Sequence, residues 1–246
     1  DEANIARIIA LRVGCGHRVP AWSVQRNCGS GMQALDCGLR DIQLGRSELV
    51  LAGGTEAMSH APLQFDPKFV NWLADFNKAK SPVAKARQLA RLRPAMFKPV
   101  VALLKGLTDP VSGMSMGQTA ENIAWRFGVT RREMDEYAHR SHQRLAAAQD
   151  EGRIDEIEPL YGIDGRAYRH DDGVRRESTV DDLGRLKPVF EKPFGKVTAG
   201  NSAQVTDGAC AVMLASEDAV RKHELPVLAR IVDSEWAGLD PAQMGL

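Results

Sequence analysis

Residues Trp22–Leu35 read W-S-V-Q-R-N-C-G-S-G-M-Q-A-L. A β-prone segment stops on Asn27-Cys28, Gly29-Ser30-Gly31 follows, and helical spacing begins at Met32. Small residues around a turn let backbone crowd close to a side chain held out at its apex, the geometry used by the nucleophile elbow of hydrolases. A cysteine so placed has the positive end of a helix close behind it, and such a site favours the thiolate, the nucleophilic form. Cys28 is therefore the candidate catalytic residue. The plainer alternative is a packing role, which is expected for Cys15, Cys37 and Cys210 as small buried hydrophobes.

The chain has 246 residues, 43% hydrophobic and 26% charged, long enough to bury a sizeable core and ordinary for a soluble globular protein. Its four cysteines form no C-x-x-C pair and no zinc-ligand spacing, so neither a metal site nor a disulfide framework is expected. Free thiols point to a cytoplasmic setting. No apolar run reaches bilayer length, and Asp1–Asn4 lacks the features of a signal peptide.

Outward from the turn, Ile5–Leu11 reads as the last turns of a helix, Trp22–Arg26 as a strand, and Met32–Gln43 as an amphipathic helix closed by Gly45. Glu48–Ala52 has the form of a buried parallel strand, which makes a βαβ unit with Cys28 at the carboxyl end of its first strand. Gly117–Phe127 reads as a helix stopped at Gly128. Thr130 and Glu133 form a capping box for a helix running to about Gln149, stopped by Gly152. Asp155–Arg185 is turn-rich. Ala209–Leu214 reads as a buried strand, Glu217–His223 as a short helix, and Leu228–Val232 as the start of another strand.

Lys68–Lys105 carries nine Lys and Arg against a single acid, Asp75, leaving 23 basic and 31 acidic residues elsewhere although the whole chain is neutral. This segment also holds Trp72, Phe76, Phe97 and several leucines. A solvated pair of surface helices is the plain reading. The functional readings are docking to an acidic partner or membrane surface, or attraction of phosphorylated substrate. Nucleic-acid binding is not expected, because no matching motif accompanies the charge.

Asn27–Leu35 closely resembles the nucleophile motif of the thiolases, the acetyl-CoA C-acyltransferases. Three further blocks resemble the same family in the same order: Gly53–Ser59 (G-G-T-E-A-M-S), Met114–Asn122 (M-S-M-G-Q-T-A-E-N), and Val197–Asn201 with Asp207-Gly208. The resemblance implies cleavage of a 3-ketoacyl-CoA or its reverse, condensation of acyl-CoAs, through an acyl-Cys28 intermediate. It places Ser115 and Met116 along the substrate and coenzyme A cleft. At Ala203 many relatives carry a serine that contacts coenzyme A. Coenzyme A would be a substrate, with no bound cofactor or metal, and homodimers or homotetramers are the family habit. The M-G-x-T-A-E-N and T-A-G-N blocks resemble thiolases rather than ketoacyl synthases.

The family's catalytic histidine in a G-H-P context, its N-E-A-F asparagine and its second cysteine have no counterparts here; none of the six histidines precedes a proline. The resemblance therefore implies a layered αβα fold represented by most of its N-terminal half and its loop domain. The expected divisions are 1–60 for the nucleophile half, 61–195 for the loop domain with the basic insert 68–105, 196–224 for the return strand and helix, and 225–246 for the start of the C-terminal half. Activity would need residues outside this chain. The alternative is a non-catalytic fragment or paralogue that binds acyl-CoA or serves as an interaction subunit.

Overall fold

The computed structural model describes residues 3–246. In chain order, α1 spans Ile5–Arg12, α2 Ser30–Gln43, β1 Leu49–Ala57, β2 Leu63–Gln64, α3 Pro67–Lys78, α4 Pro82–Leu89, β3 Val100–Val101 and α5 Ala102–Gly106. There follow α6 Met116–Arg126, α7 Arg131–Asp150, β4 Leu160–Tyr161, β5 Ala167–Tyr168, α8 Val180–Gly184, β6 Asp207–Ala215 and α9 Glu217–His223. The contacts divide the chain into two units: one of residues up to His60 with Thr206–Ala237, the other of Ala61–Val205 with Gly238–Leu246.

Local chemistry sets the helix ends. At the close of α2, Gly45 takes φ +67°, a conformation that costs a residue without a Cβ little. Its N–H donates to Ile42 O at 3.0 Å and the Arg46 N–H donates to Asp41 O at 2.9 Å, satisfying carbonyls the helix leaves free. The Thr130 capping box opens α7, with the Glu133 carboxylate accepting from the Thr130 N–H at 2.7 Å. Ser216 caps α9, which carries acids in its first turn and Arg221, Lys222 and His223 in its last, matching the helix dipole.

In the first unit β1 and β6 form one antiparallel ladder from Leu49↔Ala215 to Ala57↔Asp207. Helix α2 lies on this ribbon through residues with no side chain. A methyl group on Gly38 would come within 2.9 Å of Leu214 Cδ1 and 3.1 Å of Val50 Cγ1, and one on Gly54 within 3.3 Å of Gly31 Cα. The ladder is equally tight, since a methyl group on Gly53 would overlap the Cys210 carbonyl oxygen. The Asp207 carboxylate joins the ribbon's end to the following turn by accepting from both the N–H and the hydroxyl of Ser59. On α2, buried Asp36 accepts from the Ser234 hydroxyl and pairs with Arg40 at 3.0 Å.

The second unit is helical. Phe65, just before α3, and Phe69, Trp72 and Phe76 along it form a ladder, Phe69 also meets Phe97, and the Trp72 indole N–H donates to Gln88 O on α4 at 2.8 Å. Helix α7 is tied to α8 by Arg131, whose guanidinium pairs with buried Asp135 at 2.8 Å and donates to Leu183 O at 2.6 Å. No helix among the described residues is long and apolar enough to cross a membrane.

Several expectations are corrected. Trp22–Arg26 is not a strand, and Leu228–Val232 forms none. A strand exists only beside a hydrogen-bonded neighbour, and apart from an isolated bridge between Arg26 and Cys28 the described residues supply none to either segment. The Glu48–Ala52 strand is real but longer, and antiparallel to β6 rather than part of a parallel βαβ unit. Ala209–Leu214 lies within β6, yet most of that strand is exposed because no second layer covers its outer face among the described residues. Cys210, on that strand, and Cys15 are exposed rather than buried, and Cys37 is half-buried.

A methyl group at Gly53 meets backbone that has no route of escape. Gly53→Ala should destabilise the first unit by about 1–3 kcal/mol, read by urea unfolding. Asp36 is held below the usual carboxylate range first by the Ser234 hydroxyl, and Asp207 by that of Ser59. Stability from a depressed folded-state pKa is complete above the unfolded value and is lost as pH falls through the folded one. The melting temperature should therefore fall on acidification below about pH 4, and the Asp36→Asn, Asp207→Asn double variant should show a shallower dependence over that range.

Candidate active site

Cys28 sits exposed on the turn entering α2. Asn27, just before it, has φ +46°, a left-handed conformation that asparagine tolerates better than most residues. Two backbone bonds close the turn, Gly29 N–H to Arg26 O at 2.9 Å and Ser30 N–H to Asn27 O at 3.1 Å. The Ser30 side chain locks it: Oγ accepts from the Arg26 N–H at 2.7 Å and donates to Asn27 O at 2.8 Å. The first helical bond follows at once, from the Gln33 N–H to Gly29 O at 2.9 Å. The thiol thus projects from the N-terminal end of α2, where unpaired N–H groups concentrate positive potential. The turn matches the sequence reading. The part of Ser30 was missed, although a hydroxyl two residues after the cysteine was its signal.

The second motif block, Gly53–Ser59, forms the end of β1 and the turn after it. Gly54 makes room for Gly31 just inside α2, and Ser59 closes onto Asp207, the first residue of β6. Both motif strands therefore brace the helix that carries the cysteine turn.

Ser115 and Met116 lie in the second unit at the start of α6. Ser115 is the N-cap, its N–H donating to Gln118 Oε1 at 2.9 Å, and Met116 is the first helical residue with its side chain partly exposed. Gly117 faces the Phe190 ring so closely that a methyl group there would overlap it. Sequence reasoning missed the role of Glu121. This buried carboxylate reaches 75 residues along the chain and accepts from the Lys196 N–H at 2.8 and 2.9 Å and from the Val197 N–H at 2.7 Å. The T-A-G-N segment that follows is fixed by Asn201, whose amide donates to Asp135 Oδ1 at 2.9 Å and accepts from the Thr198 N–H at 2.8 Å. Ala203 lies exposed just past this anchored loop, after Ser202, whose hydroxyl donates to Thr198 O at 2.7 Å. Cys28 belongs to the first unit, whereas Ser115, Met116 and Ala203 belong to the second. Among the described residues no three or more His, Cys, Asp or Glu side chains are grouped to hold a metal ion.

Residues 1–218 match the family model of the thiolase N-terminal domain. Human mitochondrial 3-ketoacyl-CoA thiolase is 38% identical over 251 residues, covering 100% of this chain and 58% of its own length. The β subunit of the bovine mitochondrial trifunctional enzyme is 34% identical, covering 97% of this chain and 50% of its own. The crystal structure of the human mitochondrial thiolase in complex with CoA superposes with a TM-score of 0.83 at 38% identity, covering 98% of this chain and 56% of that one. The chain thus spans little more than half the length of the relatives it matches, within the N-terminal α/β part of their fold. It belongs to the thiolase family.

Proposed function

We propose that the protein carrying this chain is an acyltransferase that cleaves a 3-ketoacyl-CoA with coenzyme A, or runs the reverse condensation, through an acyl-Cys28 intermediate. The observation that carries this reading is the Cys28 turn itself, an exposed thiol on a locked backbone at the head of α2, within a chain of the thiolase family. In the degradative direction the Cys28 thiolate attacks the 3-keto carbon. The bond between carbons 2 and 3 then breaks, its electron pair passes to the departing acetyl-CoA carbanion, and an acid protonates that carbanion. Coenzyme A thiolate next attacks the acyl-cysteine and releases the shortened acyl-CoA. We assign the Cys28 backbone N–H to the thioester oxygen of the acyl-enzyme. We assign Ser115, Met116 and Ala203 to the coenzyme A and substrate cleft. Acid–base groups from outside this chain complete the site, and no metal or bound cofactor enters the scheme.

A second reading, an acyl-CoA-binding or interaction subunit without turnover, would give binding without acylation. We also propose a homodimer or homotetramer in the cytoplasm, on family habit and four free thiols. For residues 68–105 we propose docking to an acidic partner of β-oxidation. Trp72 on α3 is tied to α4 through Gln88, and the lysines and arginines of the segment are exposed. That one relative is named as a subunit of a trifunctional enzyme supports assembly with another chain.

Acetyl-CoA added to the full-length protein should leave acetyl on Cys28, mapped by peptide mass, and Cys28→Ala should lose both adduct and turnover while retaining acyl-CoA binding. An intact wild type that binds acyl-CoA yet never acylates would establish the interaction-subunit reading. For the basic segment, Lys78→Glu with Lys85→Glu should weaken partner capture, and raising salt should do the same to the wild type, because exposed charges are screened. Binding indifferent to salt, or binding to anionic vesicles instead of protein, would reject the proposed partner.

A further inference from the structure

Arg26 precedes the cysteine turn, and its whole length is engaged. Its N–H donates to Ser30 Oγ at 2.7 Å and its carbonyl accepts from the Gly29 N–H at 2.9 Å. The side-chain stem runs across Gly29, where a methyl group would stand 3.6 Å from both Cγ and Cδ of Arg26. Beyond the stem, the guanidinium carbon lies 3.9 Å from the centre of the Trp236 ring, a distance typical of cation–π stacking. Trp236 lies some two hundred residues further along the sequence but within the same unit. Its indole N–H is buried and has no hydrogen-bond partner among the described residues, so packing and this stack hold the ring.

We propose that Arg26, pinned by Trp236, is a positioning residue for Cys28. With its guanidinium confined to the indole face, the stem cannot lift from Gly29. The backbone between Arg26 and Ser30 is then clamped from one side by the stem and from the other by the Ser30 hydroxyl. Opening the turn would swing the thiol away from its place at the head of α2. The proposal rests on the reading of Cys28 as nucleophile, but its first readout does not need that chemistry.

The test uses the full-length protein as wild type, Trp236→Ala, Trp236→Phe and Arg26→Lys. The first measurement is the rate of iodoacetamide alkylation at each thiol, resolved by peptide mass, with exposed Cys15 and Cys210 as internal references. The second is kcat and KM for coenzyme A. Trp236→Ala should slow alkylation at Cys28 several-fold, leave Cys15 and Cys210 unchanged, and lower kcat with KM unaltered. Trp236→Phe should restore both, because a phenyl face still stacks and no hydrogen bond is lost. Arg26→Lys should resemble Trp236→Ala, since an ammonium lacks the flat guanidinium. Equal Cys28 rates in wild type and Trp236→Ala, failure of Trp236→Phe to rescue, or parallel changes at all three thiols would overturn the assignment. If Trp236→Ala does not fold, the Arg26→Lys and Trp236→Phe comparison decides. An absence of turnover in the wild type with the alkylation pattern intact would reject the acyltransferase reading and keep the positioning role.

Discussion

The contact on which the first unit depends is backbone against backbone, where α2 settles onto β1 at Gly31 and Gly54. A larger residue at Gly54 would press on the head of the helix, and the cysteine turn is continuous with that head. Gly38, one further stretch along the helix, meets Val50 and Leu214, so a single line of missing side chains sets the distance between helix and ribbon. Close packing of this kind has little slack. The turn inherits its placement from the helix, and Ser30 and the stem of Arg26 refine it locally.

In the second unit the corresponding constraint is polar. Glu121 is buried, and a buried carboxylate must find donors. It takes them from the backbone amides of Lys196 and Val197, while Asp135 holds Asn201 a few residues later. Two helices thus hold one loop through two carboxylates, and the exposed residue assigned to coenzyme A follows directly. Glycines beside this latch leave no room for substitution, since a methyl group on Gly195 would come within 2.6 Å of Glu121 Oε1.

What the sequence made legible was local. The capping box at Thr130, the stops at Gly45, Gly128 and Gly152, and the span of α9 depend on neighbours within a few residues, and each was readable. The cysteine turn was readable for the same reason. The strand assignments at Trp22–Arg26 and Leu228–Val232 failed because pairing is a property of two segments, and propensity describes only one. The parallel reading of β1 failed likewise, since its partner, β6, lies about 150 residues away. Glu121 looked like an ordinary polar residue on a helix until Lys196 and Val197 came beside it. Trp236 carried no motif. The family blocks helped because they compress such distant pairings into short strings, so the fold class was within reach while the contacts that build it were not.

The meeting of Gly31 and Gly54 also has an evolutionary side. A methyl group on Gly31 would stand 3.9 Å from Gly54, an ordinary contact, whereas one on Gly54 would stand 3.3 Å from Gly31 and press on it. The two positions are therefore unequal partners. Alanine at 31 would leave the helix seated, whereas alanine at 54 would press on it even with glycine at 31. The tolerance of this site resides in a gap between two residues, and neither residue alone discloses it.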